Sequence, residues 1–438
     1  MRIAFTTLGC KINQYETEQL RQDLLARGNT IVPFEAEADV YIINTCSVTA
    51  KSDYQCRQAI RSAVRRKEDA RVIVTGCYAT VSPDALQAIP GVEQVVPNET
   101  KSGIPDLLMK QLSQQARAGV PSHTGPHSGV AVPAGAATAK PEKQSERTRS
   151  FLKIQDGCNN SCSYCIVPVA RGRSRSVPIS VVTDQFDGLV AADYPEIVLT
   201  GIHIGTYGTD LIPSVNLTSL MESLLLRRRE SRIRLSSVEA NEITPSLVGF
   251  LGKGLCRHLH IPLQSGDDTI LFAMNRHYNS TFYRELVSSL AYRVPGIALG
   301  ADVIVGFPGE GEREFDHTID LVQCTPLSHL HVFTYSIRPG THAAGMKHQV
   351  PDSVKKKRSN VLRALARRKT QEFTRQFLGS ELNVVIEAKN NPDNGLLVGL
   401  SDNYLRVSVV GAEKEHIGKE MRVVLTEVSE KGNKAIIS

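Results

Sequence analysis

Asp156-Gly157-Cys158-Asn159-Asn160-Ser161-Cys162-Ser163-Tyr164-Cys165 sets three cysteines in a CxxxCxxC arrangement, directly after the strand-like run FLKIQD (151–156). A closed zinc site uses four protein ligands, commonly as two cysteine pairs. This loop offers three thiols and no nearby fourth. A cubane iron–sulfur cluster takes four ligands, so three thiolates leave one iron open. An open iron can chelate the amino and carboxylate groups of a bound small molecule.

Downstream of this loop, strand-like runs alternate with helical patterns as far as Ser336: EIVLTG, RIRLSS, HLHIPL, IALGADVIVG and HLHVFTYS. That alternation reads as an α/β barrel, incomplete in strand number. Upstream, three short apolar runs each stop at a cysteine: IAFTTLG at Cys10, DVYIINT at Cys46 and RVIVTG at Cys77. Between the first two, INQYETEQLRQDLLARG has helical spacing and a glycine stop at Gly28. Such βαβ units predict a parallel sheet, and ligands of such sheets sit beyond the carboxyl ends of the strands. All three cysteines fall at those ends, so sites far apart in sequence converge. The last 60 or so residues, from ELNVVIEAK to KAIIS, read as short strands separated by turns such as Asn394-Gly395, a small all-β barrel.

The bulk numbers agree with several soluble domains. The chain has 438 residues, 41% hydrophobic and 22% charged, too long for one ordinary core. It has no apolar run long enough to span a bilayer. Its start, MRIAFTTLGCKINQYE, turns polar too soon for a secretory signal, so a cytoplasmic location without membrane contact is expected. Nine cysteines, an odd number, argue against a disulfide framework. The net charge of +6 is concentrated in 355–375, where Lys355, Lys356, Lys357, Arg358, Arg363, Arg367, Arg368, Lys369 and Arg375 face one acid, Glu372. This stretch is either a solvated helix face or a phosphate-contacting helix.

CxxxCxxC with Tyr164 before its last cysteine resembles the signature of radical S-adenosylmethionine enzymes. In that family the open iron binds the methionine part of the cofactor, and one electron cleaves it to a 5′-deoxyadenosyl radical. The likeness extends along most of the chain. TLGCKINQYETE, NTCSVTAKSD and VTGCYA resemble the N-terminal domain of the methylthiotransferases. DGCNNSCSYCIVPVARGRSRS, LTGIHIGTYG, RLSSVEANEIT, HLHIPLQSGDD, MNRHY, GADVIVGFPGE and FTYSIRPGT are similar to that family's central domain. The tail is similar to the TRAM domain, an RNA-binding barrel. The resemblance implies an α/β protein with domains at 1–113 (parallel-sheet α/β), 149–376 (radical S-adenosylmethionine partial barrel) and 377–438 (β-barrel). A flexible Gly/Pro/Ala-rich linker at 114–148 joins the first two.

The resemblance also implies two 4Fe-4S clusters and S-adenosyl-L-methionine. Cys158, Cys162 and Cys165 would hold one cluster, and Cys10, Cys46 and Cys77 the second. Cofactor contacts are expected from Tyr164, Gly201, Gly205, Glu239, Gln264, Ile304 and Gly306. No acid, base or nucleophile is implied beyond the clusters. Arg171, Arg173 and Arg175 are equally readable as anion contacts or solvated side chains. Cys56, Cys256 and Cys324 match no motif position and read as packing residues.

Members of this family act on an adenosine in transfer RNA or an aspartate in a ribosomal protein. The isopentenyladenosine enzymes tend to read YGCQMN and the ribosomal-protein enzymes LGCPKN. LGCKINQYE at 8–16 resembles the branch acting on N6-threonylcarbamoyladenosine, next to the anticodon. The implied partners are a tRNA anticodon stem-loop and an electron donor such as flavodoxin or ferredoxin; the sulfur donor is not implied. A linker without a folded role predicts that deleting Gly125 to Ala139 leaves activity within about twofold of the full chain, since linkers of this composition act as flexible spacers. A large loss in a single-turnover assay would show that the segment has a role of its own.

Overall fold

The computed structural model describes residues 1–67, 69–110, 147–430 and 432–438. The expected linker, 114–148, lies outside the described residues except for its last two. The chain divides into two compact units, Met1–Ser47 with Lys51–Gln144, and Val48–Ala50 with Ser145–Ser438.

The first unit is built on a parallel sheet of β1 (Arg2–Thr7), β2 (Thr30–Val32), β3 (Val40–Thr45), β4 (Arg71–Gly76) and β5 (Val92–Val96), ordered β2-β1-β3-β4-β5. β3 is central and every residue of it is buried. Helices on both faces of a parallel sheet explain its near-continuous apolar run Val40-Tyr41-Ile42-Ile43. The register sets Thr7 opposite Asn44 and Thr45 opposite Gly76. The carboxyl ends of β1, β3 and β4 are therefore level, and Cys10, Cys46 and Cys77 follow them. Helix α1 (Lys11–Ala26) starts with Cys10 at its N-cap position, and α3 (Cys77–Val81) starts at Cys77 itself. Cys56 lies on α2 (Ala50–Arg66) between them.

In the second unit, β6 (Ser150–Lys153), β9 (Glu196–Thr200) and β10 (Arg232–Leu235) form one three-stranded parallel sheet. β11 (His258–His260), β12 (Ala298–Val305) and β13 (His329–Thr334) form another. A parallel bridge between Ser237 and His260 joins them into the partial barrel. The short strands β7 (Gln155–Asp156) and β8 (Arg175–Ser176) flank the cysteine loop. Side chains of Asn216, Asp267 and Asn279 cap three of the surrounding helices by accepting from backbone N–H groups three residues on.

A long helix, Asp352–Arg375, lies against β13 through Leu362, Leu365 and Ala366. Its basic run is not uniform. Lys355 and Arg358 are buried, and Arg358 pairs with Glu310 at 2.7 Å. Lys356, Lys357, Arg363, Arg367, Arg368 and Arg375 are exposed. The tail closes as expected into a barrel of β14 (Glu381–Asn390), β15 (Leu397–Ser401), β16 (Arg406–Val410), β17 (Glu420–Glu427) and β18 (Asn433–Ile437). Leu382, Val384, Ile386, Val407, Val409, Val423 and Leu425 fill it.

The two barrels of this unit are joined through one buried carboxylate. Glu196 on β9 accepts from Arg234 at 2.8 Å through both oxygens, from Arg232 at 2.7 Å and from Arg149 at 3.1 Å. The arginines then reach the tail: Arg234 donates to the carbonyls of Ser401 and Asp402, and Arg232 to that of Leu400. Burial raises the cost of charging Glu196, but Arg234 and Arg232 outweigh it and hold the carboxyl well below the usual carboxylate range. Its contribution to stability is therefore full above the unfolded carboxylate value of about 4.3 and is lost as pH falls below it. Glu196→Gln leaves buried guanidiniums without their counter-charge and is expected to cost about 3–5 kcal/mol at neutral pH. The gap from wild type should narrow below pH 4. Equal denaturation midpoints at pH 7 would show that the network adds nothing.

Candidate cluster and cofactor site

The CxxxCxxC loop is fixed by hydrogen bonds from several elements. Gln155 donates through Nε2 to the carbonyls of Asp156 and Gly157, and its Oε1 accepts from the His203 N–H at 2.8 Å. The Ser163 N–H donates to the Met274 carbonyl at 3.1 Å, and Asn275 holds Ser161. Arg171 is buried and pairs with Asp156 at 3.0 Å, so it serves the loop rather than solvent or an external anion.

Polar groups point at the thiols themselves. Arg276 Nη1 donates to Cys162 Sγ at 3.4 Å, the Asn160 N–H donates to Cys158 Sγ at 3.3 Å, and His203 Nδ1 lies 3.6 Å from Cys158 Sγ. Burial pushes the Cys165 thiol up to about 12, with Cys162 and Cys158 adding to the effect. Burial works against the charged imidazole of His203, but Cys158 and Glu242 outweigh it and the group is pushed up to about 10. His203 Nε2 in turn pairs with Glu242 at 2.6 Å. Cys162 and Cys158 disfavour the Cys165 thiolate, and a cation among the three sulfurs would reverse that. Among the described residues, the one group of Cys, His and carboxylate ligand atoms converging within 4.8 Å is His260, Asp302 and His331, so neither cysteine trio is drawn that close. A single tetrahedral ion at about 2.3 Å from each sulfur requires closer approach; a multi-iron cluster spreads its thiolates wider.

Beside the loop, Tyr164, Cys165, Ile166, Val167, Gln264, Asp302, Ile304 and Tyr335 line one cavity. It thus gathers three of the seven expected cofactor residues: Tyr164, Gln264 and Ile304. Gln264 is in the left-handed backbone region at φ 66°, and its buried Oε1 has no partner among the described residues. An orphaned acceptor on a cavity wall suits a ligand hydroxyl or amino group. Glu239 lines a neighbouring recess with Cys162, His203, Glu242 and Arg276, and is ion-paired to Arg276. The three glycines line neither space. Gly201 packs on Gln155; Gly205 packs on Glu242, where a Cβ would collide with the carboxylate; the Gly306 N–H donates to Glu310 at 2.8 Å.

His203, Arg276 and Glu242 escaped the sequence reading as individual residues, although all three sit inside motifs quoted for other reasons. Arg276 is 114 positions from the cysteine it touches, a separation that leaves no local pattern.

In the first unit, the loop carrying Cys10 rests on Cys46. Gly9 adopts φ 99°, and a Cβ there would lie 2.7 Å from Cys46 Cβ and 2.9 Å from its sulfur. Only glycine permits that approach. Asn98 Nδ2 lies 3.6 Å from Cys77 Sγ. Cys56 is nearer this trio than its sequence suggested: its Sγ contacts both the N–H and the carbonyl of Cys46 at 3.4 Å. Burial pushes its thiol up to about 12, which keeps it a neutral packing group. Cys256 is buried and likewise pushed up to about 12, and Cys324 is exposed at a helix end.

Family comparisons follow the same divisions. A model described as Uncharacterized protein family UPF0004 matches residues 2–97, the Radical SAM superfamily matches 152–322, and the TRAM domain matches 375–436. The chain is 40% identical to a protein of Bacillus subtilis (strain 168) named threonylcarbamoyladenosine tRNA methylthiotransferase MtaB, over 96% of this chain and 93% of that one. An Aquifex aeolicus (strain VF5) protein of the same name is 35% identical over 97% and 100%. A tRNA-2-methylthio-N(6)-dimethylallyladenosine synthase of Clostridium botulinum (strain Okra / Type B1) is 30% identical over 97% and 94%. Among solved structures, the radical S-adenosylmethionine methyltransferase TsrM from Kitasatospora setae shares the fold, with TM-score 0.56 at 17% identity over 78% of this chain and 75% of that one. With relatives this similar matched over almost their whole length, the chain belongs to the radical S-adenosylmethionine methylthiotransferase family.

Proposed function

We propose that this protein replaces the C2 hydrogen of N6-threonylcarbamoyladenosine, next to the anticodon of transfer RNA, with a methylthio group. The observation that carries this reading is the second cysteine trio. Cys10, Cys46 and Cys77 at three level strand ends, with the neighbouring Cys56 thiol kept neutral by burial, suit a second 4Fe-4S cluster beside the one that the radical S-adenosylmethionine family implies. Relatives named for the threonylcarbamoyl substrate at 34–40% identity, against 30% for a dimethylallyladenosine synthase, support the choice of base.

When bound, the central cluster with S-adenosylmethionine supplies the one-electron cleavage needed to attack an unactivated ring carbon. Two molecules of that cofactor would be needed, one as the source of the hydrogen-abstracting radical and one as the source of the methyl group. The chain's own residues bind and orient. Cys158, Cys162 and Cys165 hold the cluster, and Arg276 and His203 place donors on its sulfurs, which stabilise thiolate charge. Gln264 Oε1 would accept from the cofactor, Tyr164 and Ile304 line the cavity that would hold it, and the Arg276–Glu239 pair bounds the recess beside Cys162. The exposed basic face of the long helix and the C-terminal barrel take RNA phosphates. Flavodoxin or ferredoxin would deliver electrons in the cytoplasm. No helix among the described residues is long and apolar enough to cross a membrane.

Iron counting tests the clusters. After anaerobic reconstitution, wild type should hold about eight irons and the Cys158/Cys162/Cys165→Ala triple variant about four, one cubane per trio. About four in wild type, all lost in the variant, would remove the N-terminal cluster and the methylthiotransferase reaction with it. For the substrate, nucleoside digests should show the methylthio product on tRNA carrying threonylcarbamoyladenosine. Product only on isopentenyladenosine tRNA, or on a ribosomal-protein aspartate, would refute the assignment. Reversing Lys356, Lys357, Arg367 and Arg368 to glutamate should weaken tRNA binding by about tenfold or more at 0.1 M salt and flatten its salt dependence, with iron content unchanged. Unchanged affinity would place the RNA elsewhere.

A further inference from the structure

Below the cofactor cavity the partial barrel carries a histidine cluster that the proposed reaction does not use. β11, β12 and β13 run parallel, with His260 opposite Gly300 and Asp302 opposite His331. Side chains alternate along a strand, so His258, His260, Gly300, Asp302, His329 and His331 share one face. Gly300 leaves the room: a Cβ there would collide with the rings of His329 and His260.

His260 Nε2 lies 2.8 Å from Asp302 Oδ1 and His331 Nδ1 lies 3.1 Å from the same oxygen, with all three atoms within 4.8 Å of one another. Ligands at about 2.0–2.2 Å from a common ion fit that spacing with little adjustment. A second feature points the same way. His329 Nε2 is buried and has no hydrogen-bond partner among the described residues, while its ring centre lies 5.7 Å from that of His260 and 6.1 Å from that of His331. Hydrogen bonds to Asp302 satisfy His260 and His331 but leave this imidazole nitrogen stranded, at a cost. The cluster is open on one side: the side chain of His331 is 58% exposed and that of Asp302 25%, against 9% for His260.

We infer that His260, Asp302 and His331 form a binding site for a divalent first-row transition ion of the zinc or ferrous class, with His329 as the adjacent reserve donor. Two imidazoles and one carboxylate suit such ions and disfavour magnesium and calcium, which prefer all-oxygen shells. Asp302 also lines the cofactor cavity, so the ion would sit in the barrel wall under that cavity, and it would use no cysteine of either trio. The site does not depend on which nucleoside or protein is modified.

The test uses the reconstituted holoenzyme, whose cluster cysteines are occupied, and zinc as the probe. After incubation with Zn²⁺ and gel filtration, metal analysis should find about one zinc per chain, as for a three-ligand protein site with measurable affinity. X-ray absorption at the zinc edge should show nitrogen and oxygen donors and no sulfur. His331→Ala and His331→Gln replace a largely exposed side chain and should keep the iron count, while weakening zinc binding by about tenfold or more, the least expected when a metal site loses part of its support. Asp302→Asn should do the same. The inference is overturned if wild type retains no zinc, if retention is equal in the His331 variants, or if the zinc edge reports sulfur ligands.

Discussion

Parallel strands end together, and both units rest on that constraint. A parallel sheet brings its carboxyl ends to one edge regardless of how many residues separate the strands. In the first unit this levels Thr7, Asn44 and Thr75, and the residues that follow are free to serve a ligand because the ladder is already satisfied. In the second unit the same geometry places the cysteine loop beyond β6, Gln264 after β11, and the turn at Gly306 after β12. Each of these positions tolerates a costly feature, such as the left-handed backbone of Gln264 or a crowded thiol, because the strand behind it is buried and immobile.

Electrostatics then sorts the cysteines. Burial pushes up the thiols of Cys56, Cys165 and Cys256 alike, and what distinguishes a candidate ligand from a packing residue is the company it keeps. Cys162 has the guanidinium of Arg276 and Cys158 has His203, whereas Cys56 has only backbone contacts to Cys46. Cys256 does lie near Arg234 and Arg232, but Glu196 takes up their charge and the thiol still stays pushed up.

Periodicity made the elements legible. The apolar run at Val40–Thr45 can only be a doubly covered strand, and turns such as Asn394-Gly395 mark the tail as β-rich. The candidate trios were legible in two ways: Cys158, Cys162 and Cys165 by their compact loop, and Cys10, Cys46 and Cys77 by their places after strand-like runs. The second layer was not legible. Arg276, His203 and Glu242 act across separations set by barrel closure, and the choice between Arg171 as loop support and Arg171 as anion contact depends on Asp156 lying within 3.0 Å. The glycines show the reverse case. Gly201, Gly205 and Gly306 are positioned by motif resemblance at the cofactor, yet each makes room for a neighbouring side chain of the protein.

The same distinction governs the basic helix. Nine cations in 21 residues look like one feature, but a helix lying on a barrel must bury a stripe. Lys355 and Arg358 fall on that stripe beside Leu362 and Leu365. Arg358 is tolerated there because Glu310 is buried with it, and Glu310 in turn holds the Gly306 turn at the end of β12. Burial raises the Glu310 carboxyl, and the Gly306 N–H and Arg358 pull against that rise. The inward charges therefore fasten the helix to the strand-end edge of the barrel, while the outward ones stay exposed along its opposite face, with Arg368 3.5 Å from Glu372. A surface that is basic because its other half is already paired is the arrangement expected of a phosphate-binding face on a rigid support.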